Sequence, residues 1–483
     1  MQKKSKRPSG FDSDQLLKVP SGIQGLDEIT FGGLPKGRPT LICGSAGCGK
    51  TLFGMEFLVC GAIKYNEPGV FMSFEETEQD LTTNVASLHF DLKRLVAQKK
   101  LAIEYVRLER SEIQETGEYD LEGLFVRLNY AIDSIGAKRV VLDTIETLFA
   151  GLQNTGILRA ELRRLFQWLK NKGVTALITA ERGSGTLTRH GLEEYVSDCV
   201  ILLDHRVSDE ISTRRLRVVK YRGSVHGTNE VPFLIDRDGI SVLPITSFTL
   251  NHPGTTKKVA TGVPQLDQML GGKGYMRGSS VLISGTAGTG KTSLSSAFAI
   301  ETCRRGERCL LISFEESPGQ LTQNMRSISL DFEPWVKKGL LEIFSTRPSL
   351  HGLEMHLLEL HKRVESFKPK AVVLDPLTSL LTQGHPLEIQ SMLTRMIDIL
   401  KSKGITGLFT SLVATSQDDI DNSFIGVSSL IDTWIAVREL EDEKKKRIRG
   451  LYIVKSRGMA HSNEVRRLVL SDKGIRLEAK DQA

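Results

Sequence analysis

Short apolar, β-branched runs recur through the first half of the chain at 40–43, 70–74, 140–143 and 176–179, with helical stretches such as 52–64 between them. That alternation predicts the α/β class, with a mostly parallel sheet covered by helices on both faces. Later segments, 216–221 and 233–243, alternate in polarity and predict antiparallel hairpin strands appended to one edge of the sheet.

The pattern is then written a second time. GSAGCGKT at 44–51 returns as GTAGTGKT at 285–292, so that Lys50 and Lys291 stand 241 residues apart, half of the 483-residue chain. SFEET at 73–77 returns as SFEES at 313–317, its first glutamate 25 residues after the lysine in one copy and 24 in the other. VVLD ending at Asp143 matches VVLD ending at Asp375, and KYRG at Lys220 matches KSRG at Lys455, with His226 and His461 six residues beyond those lysines. Motifs kept in one order point to duplication of a whole domain. TLNHPGTTKK breaks the pattern with Pro, Gly and charge. The expected division is a basic flexible tail at 1–15, a first domain at 16–248, a linker at 249–258 and a second domain at 259–483.

Composition narrows the classes without choosing among them. Hydrophobic residues make up 40% and charged residues 25%, as in ordinary globular chains. No apolar run approaches membrane-spanning length, and the basic start (Lys3, Lys4, Lys6, Arg7) lacks the hydrophobic stretch of a secretory signal, so a cytoplasmic chain with no membrane partner is expected. Cys43, Cys48, Cys60, Cys199, Cys303 and Cys309 show neither CxxC spacing nor a nearby His cluster and read as reduced, mostly buried thiols. A net charge of +6 is small for this length and demands no nucleic-acid partner.

The chemistry lies in the repeated motifs. GxxxxGK[ST] between a strand and a helix needs glycines because backbone N–H groups must wrap phosphate oxygens closely, while the helix N-terminus adds its dipole. Lys50 and Lys291 are placed to reach the β- and γ-phosphates of ATP, and the Thr51 and Thr292 hydroxyls to ligate Mg²⁺. Asp143 and Asp375 each end a strand, where a Walker B carboxylate meets solvent at the phosphate edge and holds magnesium through its water shell. The pairs Glu75-Glu76 and Glu315-Glu316 end strands at the same edge, and the first of each pair is the expected general base. Lys220, Arg222 and His226, with Lys455, Arg457 and His461, lie near an edge hairpin and in a ring could reach a neighbouring subunit's nucleotide. The run EDEKKKRIR at 441–449 reads as the exposed tip of such a hairpin.

The tandem P-loops, the doubled SFEE motif and the doubled KxRG hairpin resemble the KaiC family, clock-type ATPases of the RecA superfamily, from about Leu16 to Leu477. EPGVFMSFEET, RLNYAI, EEYVSD, GITGLFT and SDKG carry the likeness further. The resemblance implies two tandem RecA-like P-loop domains, a double-ring homohexamer with ATP at subunit interfaces, and a second domain that phosphorylates itself. It also implies a nucleotide-contacting set of Gly44, Gly47, Gly49, Lys50, Thr51, Leu52, Ser87, Lys220, Arg222 and His226 in the first half. The second half would supply Gly285, Gly288, Thr289, Gly290, Lys291, Thr292, Ser293, Arg449, Lys455, Arg457 and His461, with Glu315 joining the threonines as a metal ligand. The implied phosphoacceptors are Ser428 and Ser429. Aligning Asp198 with Asp432 puts Glu194 and Tyr195 opposite that pair, so the first half lacks the serine pair that the second offers.

Two departures bear on the carry-over. The chain ends soon after Leu477, short of the long tail that recruits KaiA in clock proteins, which leaves KaiB-like or other signalling partners as the expectation. Ile328 stands where the family pattern puts an adenine-contacting Trp. Two other classes compete: a DNA-dependent recombination or helicase-like ATPase of the same superfamily, against which the chain shows no aromatic-basic loop for single strands, and a nucleotide-gated scaffold with negligible turnover.

Overall fold

The computed structural model describes residues 16–106, 121–148, 155–183, 185–189, 191, 197–208, 211–243, 255–350, 352–381, 386–413, 429–441 and 447–479. The chain divides into two compact units, Met1–Ser247 and Phe248–Ala483.

In the first unit one nine-stranded sheet runs Gly239–Val242, Val231–Asp236, Ile211–Tyr221, Cys199–Ser208, Pro39–Gly44, Thr175–Glu181, Arg139–Asp143, Gly69–Ser73, Leu101–Tyr105. From Cys199–Ser208 onward all neighbours are parallel. The other three strands form an antiparallel extension. Every residue of Pro39–Gly44, Gly69–Ser73 and Arg139–Asp143 is buried, because helices cover both faces. Ile42, Phe71 and Val141 join the cluster around Phe53 and Phe57 of the helix Lys50–Lys64, whereas Leu41, Val70 and Val140 face Leu128 and Phe166 on the other side. The helix can lie that close because Gly54 faces Val141, where an added Cβ would come within 2.8 Å.

The second unit repeats this as Leu341–Ser345, Cys309–Ser313, Ala371–Asp375, Thr406–Leu412, Ser280–Gly285, Thr433–Glu441, Arg447–Ser456, Arg466–Ser471, Gly474–Ala479. Six parallel strands are again followed by three antiparallel ones. The extension is longer than the hairpin the alternating segments suggested. The strand bearing each KxRG lysine lies inside the sheet, and the 233–243 segment is split by a turn into parts of two strands.

One residue separates the foundations of the two units. Arg139 is fully buried, its guanidinium donating to Glu67 Oε2 at 2.7 Å and to the carbonyls of Pro20 (2.8 Å), Phe57 (2.9 Å) and Ser21 (3.3 Å). The ring of Phe57 lies 4.4 Å below it. At the same register the second unit has Ala371.

Candidate nucleotide site

Each P-loop leaves the central parallel strand and turns into a helix. A Cβ on Gly44 would sit 2.5 Å from Leu203 O, and one on Gly285 2.4 Å from Val437 O, so the loop can pass that close to the next strand only as glycine. Gly49 and Gly290 adopt φ of 103° and 98° at the N-caps of Lys50–Lys64 and Lys291–Arg304, and neither helix start has a side-chain cap. Those first-turn N–H groups are the donors an anion needs. Lys50 Nζ donates to Gly44 O (2.9 Å) and Ser45 O (3.0 Å), and Lys291 Nζ to Thr286 O (2.6 Å). Burial pushes the Lys291 ammonium down, against the pull of Asp375 and Glu315.

Asp143 and Asp375 are 5% and 7% exposed, buried rather than meeting solvent as the strand-end pattern suggested. Hydroxyls compensate the burial. Thr51 Oγ1 donates to Asp143 Oδ2 at 2.8 Å and Thr179 Oγ1 to Asp143 Oδ1. Thr292 and Thr410 do the same for Asp375. Desolvation nevertheless raises both carboxyls above the usual aspartate range. A threonine hydroxyl against a buried carboxylate beside the P-loop is an oxygen donor set that fits Mg²⁺. Among the described residues no cluster of three or more His, Cys, Asp or Glu forms an all-protein metal cage.

The glutamate pairs follow their strands directly and are anchored behind by capping boxes, Thr77 with Asp80 and Ser317 with Gln320. Glu75 Oε1 accepts from Thr144 Oγ1 (3.0 Å) and Thr147 Oγ1 (2.8 Å). Glu315 Oε1 accepts from Ser379 Oγ at 3.0 Å. Glu76 and Glu316 turn to Asn84 (3.4 Å) and Asn324 (3.1 Å) instead. Burial raises the Glu76 carboxyl, against the bond from Asn84.

The structure brings the P-loop lysines, Thr51 and Thr292, both aspartates and both glutamate pairs to one sheet edge in each unit. The KxRG residues are elsewhere. Tyr221 lies level with Cys199 and Thr40, at the opposite ends of the strands from Gly44. Four residues of strand separate those levels, about 13 Å at ~3.3 Å per residue. Arg222 N donates to Asp198 O and Arg457 N to Asp432 O, both at 2.8 Å, which fixes the same place in both units. A register shift immediately precedes each lysine, Val200 facing Lys220 but Ile201 facing Val218, and Trp434 facing Lys455 but Ile435 facing Ile453. Burial pushes Lys455 down, helped by Arg457. His226 stacks on Tyr221 and His461 Nδ1 meets Ser462 O at 3.3 Å. Arg449 departs from its KxRG companions, donating to its own P-loop at Gly288 O, 3.2 Å away.

Of the remaining candidates, Ser87 is exposed on the turn Ala86–Leu88, Leu52 is half-buried, and Thr289 donates to Thr286 O. Ser293 is buried inside its helix, and Ile328 packs partly against the core. Ser429 is exposed, while Ser428, Glu194 and Tyr195 lie outside the described residues. Sequence reading missed Thr179 and Thr410, Thr144, Thr147 and Ser379, and the buried Glu146, whose Oε1 accepts from Glu181 N at 2.6 Å. Thr378 takes that place in the second unit, accepting from Leu412 N at 3.2 Å. Aligning the halves would have exposed the paired Thr179 and Thr410. All six cysteines are free and buried, and no helix among the described residues is long and apolar enough to cross a membrane.

Comparison with known proteins agrees with this geometry. The KaiC ATPase family matches twice, at residues 19–247 and 259–482. The circadian clock protein KaiC2 of Synechocystis sp. is 58% identical over 463 residues, covering 96% of this chain and 81% of that protein. The circadian clock oscillator protein KaiC of Parathermosynechococcus lividus is 36% identical over 471 residues (96% and 87%), and that of Synechococcus elongatus 36% over 461 residues (95% and 88%).

Proposed function

The chain belongs to the KaiC ATPase family, and from that premise we propose that it hydrolyses ATP, phosphorylates its own serines, and works as a nucleotide-dependent hexameric ring in clock-type or related signalling. The observation that carries the reading is the split between P-loop and KxRG residues. Lys220, Arg222 and His226, like Lys455, Arg457 and His461, cluster about 13 Å along the sheet from their own P-loop. They can serve a γ-phosphate only when the P-loop belongs to an adjacent subunit.

Within each unit the roles follow from position. The uncapped helix start and the P-loop N–H groups hold the phosphates, and Lys50 or Lys291 exchanges its carbonyl partners for phosphate oxygens. Thr51 with Asp143, and Thr292 with Asp375, would hold Mg²⁺, which when bound would supply charge neutralisation on the phosphates. In the first unit Glu75 takes a proton from water as the new P–O bond forms and ADP leaves. In the second, Glu315 takes the proton from Ser428 or Ser429 of a neighbouring copy, and the γ-phosphoryl group moves to that oxygen. Only the second half supplies a serine pair there, Glu194 and Tyr195 standing opposite.

Incubation with γ-labelled ATP and Mg²⁺, followed by phosphosite mapping, tests this. Label at Ser428 or Ser429, lost in the double-alanine variant, is expected. Label persisting in that variant overturns the acceptor assignment, and hydrolysis that appears only with single-stranded DNA overturns the signalling reading in favour of a DNA-dependent ATPase. Light scattering tests the ring: a chain that stays monomeric at micromolar concentration with saturating Mg·ATP excludes it.

A further inference from the structure

A cleft of about 410 Å³ opens in the second unit beside the ends of the parallel strands, and no P-loop residue lines it. Its wall carries Glu315, Arg347, Ser349, Thr378 and Ser379. Two of these are committed: Ser379 donates to Glu315 at 3.0 Å, and Thr378 accepts from Leu412 N. The cleft therefore adjoins the nucleotide seat across the base.

Arg347 is not committed. It is exposed just beyond the strand Leu341–Ser345, and among the described residues its guanidinium has neither hydrogen bond nor ion pair, Glu315 included. The backbone holds it in place, since Thr346 N donates to Ser313 O at 3.1 Å. The sequence also repeats it: Val106 N makes the same bond to Ser73 O at 2.9 Å, and Arg107 follows Val106 as Arg347 follows Thr346, although Arg107 itself lies outside the described residues. A planar fork of donors facing an open cleft matches a tetrahedral oxyanion in shape and charge.

We infer that Arg347 makes this cleft the seat of a phosphate group after it has left ATP. The inference rests on Glu315 being the base. When the attacking O–H gives its proton to Glu315, the bond from phosphorus to ADP breaks and the new P–O bond forms. Glu315 is then neutral as the anionic product appears beside it, and Arg347 supplies the positive partner. The shared chemistry is a phosphate dianion, either a seryl phosphate of a neighbouring copy or free phosphate from hydrolysis.

Equilibrium dialysis of the full chain against radiolabelled inorganic phosphate, with Mg·ADP filling the P-loops, reads the seat directly. R347Q should bind roughly 10- to 100-fold more weakly, and R347K should fall between, its ammonium keeping the charge without the fork. E315Q should bind more tightly, since a like charge is gone. A second arm loads the chain with γ-labelled ATP. Faster loss of label from Ser428 or Ser429 in R347Q assigns the seat to seryl phosphate, whereas unchanged label with weakened dialysis binding assigns it to free phosphate. R347Q matching the unaltered chain in both arms overturns the inference. If the unaltered chain takes no label at all, self-phosphorylation is what fails, and dialysis still decides Arg347.

Discussion

Glu75 in the first unit accepts from Thr144 and Thr147, whereas Glu315 accepts from Ser379, with Pro376 standing where Thr144 stands. Nearby, Glu146 in the first unit and Thr378 in the second accept the N–H of the same strand end. The aspartates, by contrast, keep matching threonine pairs. Duplication has preserved the aspartate–threonine end of the site and let the surroundings of the first glutamate, the proposed base, drift. On the proposed roles, two donors on one oxygen would hold Glu75 more firmly than the single donor holds Glu315, which would suit a small water nucleophile in one unit and a hydroxyl carried on another chain in the other.

The sharpest break would come from the bases themselves. Glu75→Gln should cut steady hydrolysis roughly 10²- to 10⁴-fold while nucleotide stays bound, since an amide keeps the shape but accepts no proton. Glu315→Gln should instead abolish serine labelling. Equal losses of steady turnover in both variants would erase the distinction drawn between the units.

Next in size is the buried Arg139, whose place in the second unit is taken by Ala371. Arg139→Met should destabilise that unit by about 3–5 kcal/mol, because Glu67 and three backbone carbonyls lose their donor. Denaturant unfolding should then show an early transition for the first unit, with the second unmoved. A single transition at the original midpoint would count against the role of Arg139 as a staple.

Removing one donor from the first base is a gentler test. Thr144→Val should lower first-unit turnover by about 5- to 10-fold, the worth of roughly 1 kcal/mol for one hydrogen bond. Ser379→Ala should cost more labelling than Thr144→Val costs hydrolysis, since no second donor remains among the described residues. The reverse order would show that donor number does not distinguish the sites.

The smallest effect concerns the feature the units share. Burial raises the Asp143 and Asp375 carboxyls in the folded chain. Between the unfolded value of about 3.9 and that raised value, the folded state holds a proton the unfolded state has lost. This contribution makes stability fall as pH rises through the window and stay lower above it. Without nucleotide or magnesium, Asp143→Asn and Asp375→Asn should therefore both raise the neutral-pH denaturation midpoint, and the gain should close on acidification below about 3.9. A variant less stable than the parent at neutral pH would contradict the sign.

Much of this was legible from the chain. The P-loops, the strand-end aspartates and the doubled glutamates announce themselves in contiguous motifs, and the buried runs announce a parallel sheet. Strand order was not legible, because the pairing of Pro39–Gly44 with both Thr175–Glu181 and Cys199–Ser208 joins segments more than a hundred residues apart. The partners of the bases were hidden for the same reason: Thr147 lies 72 residues from Glu75 and Ser379 64 from Glu315. Arg139 at the start of an apolar run looks like a solvated flank, and only tertiary packing turns it inward.

The strand Arg447–Ser456 touches its own P-loop through Arg449 near one end and presents Lys455 near the other. It is paired with Thr433–Glu441 except at the register shift just before Lys455, and with Arg466–Ser471 at Gly450 and Leu451. Six residues of extended chain span about 20 Å and scarcely stretch. A tug on Gly288 when nucleotide arrives would therefore be felt at Lys455 along this one strand. In the proposed ring, with that lysine serving the adjacent nucleotide, each subunit would feel its neighbour's occupancy through a single strand.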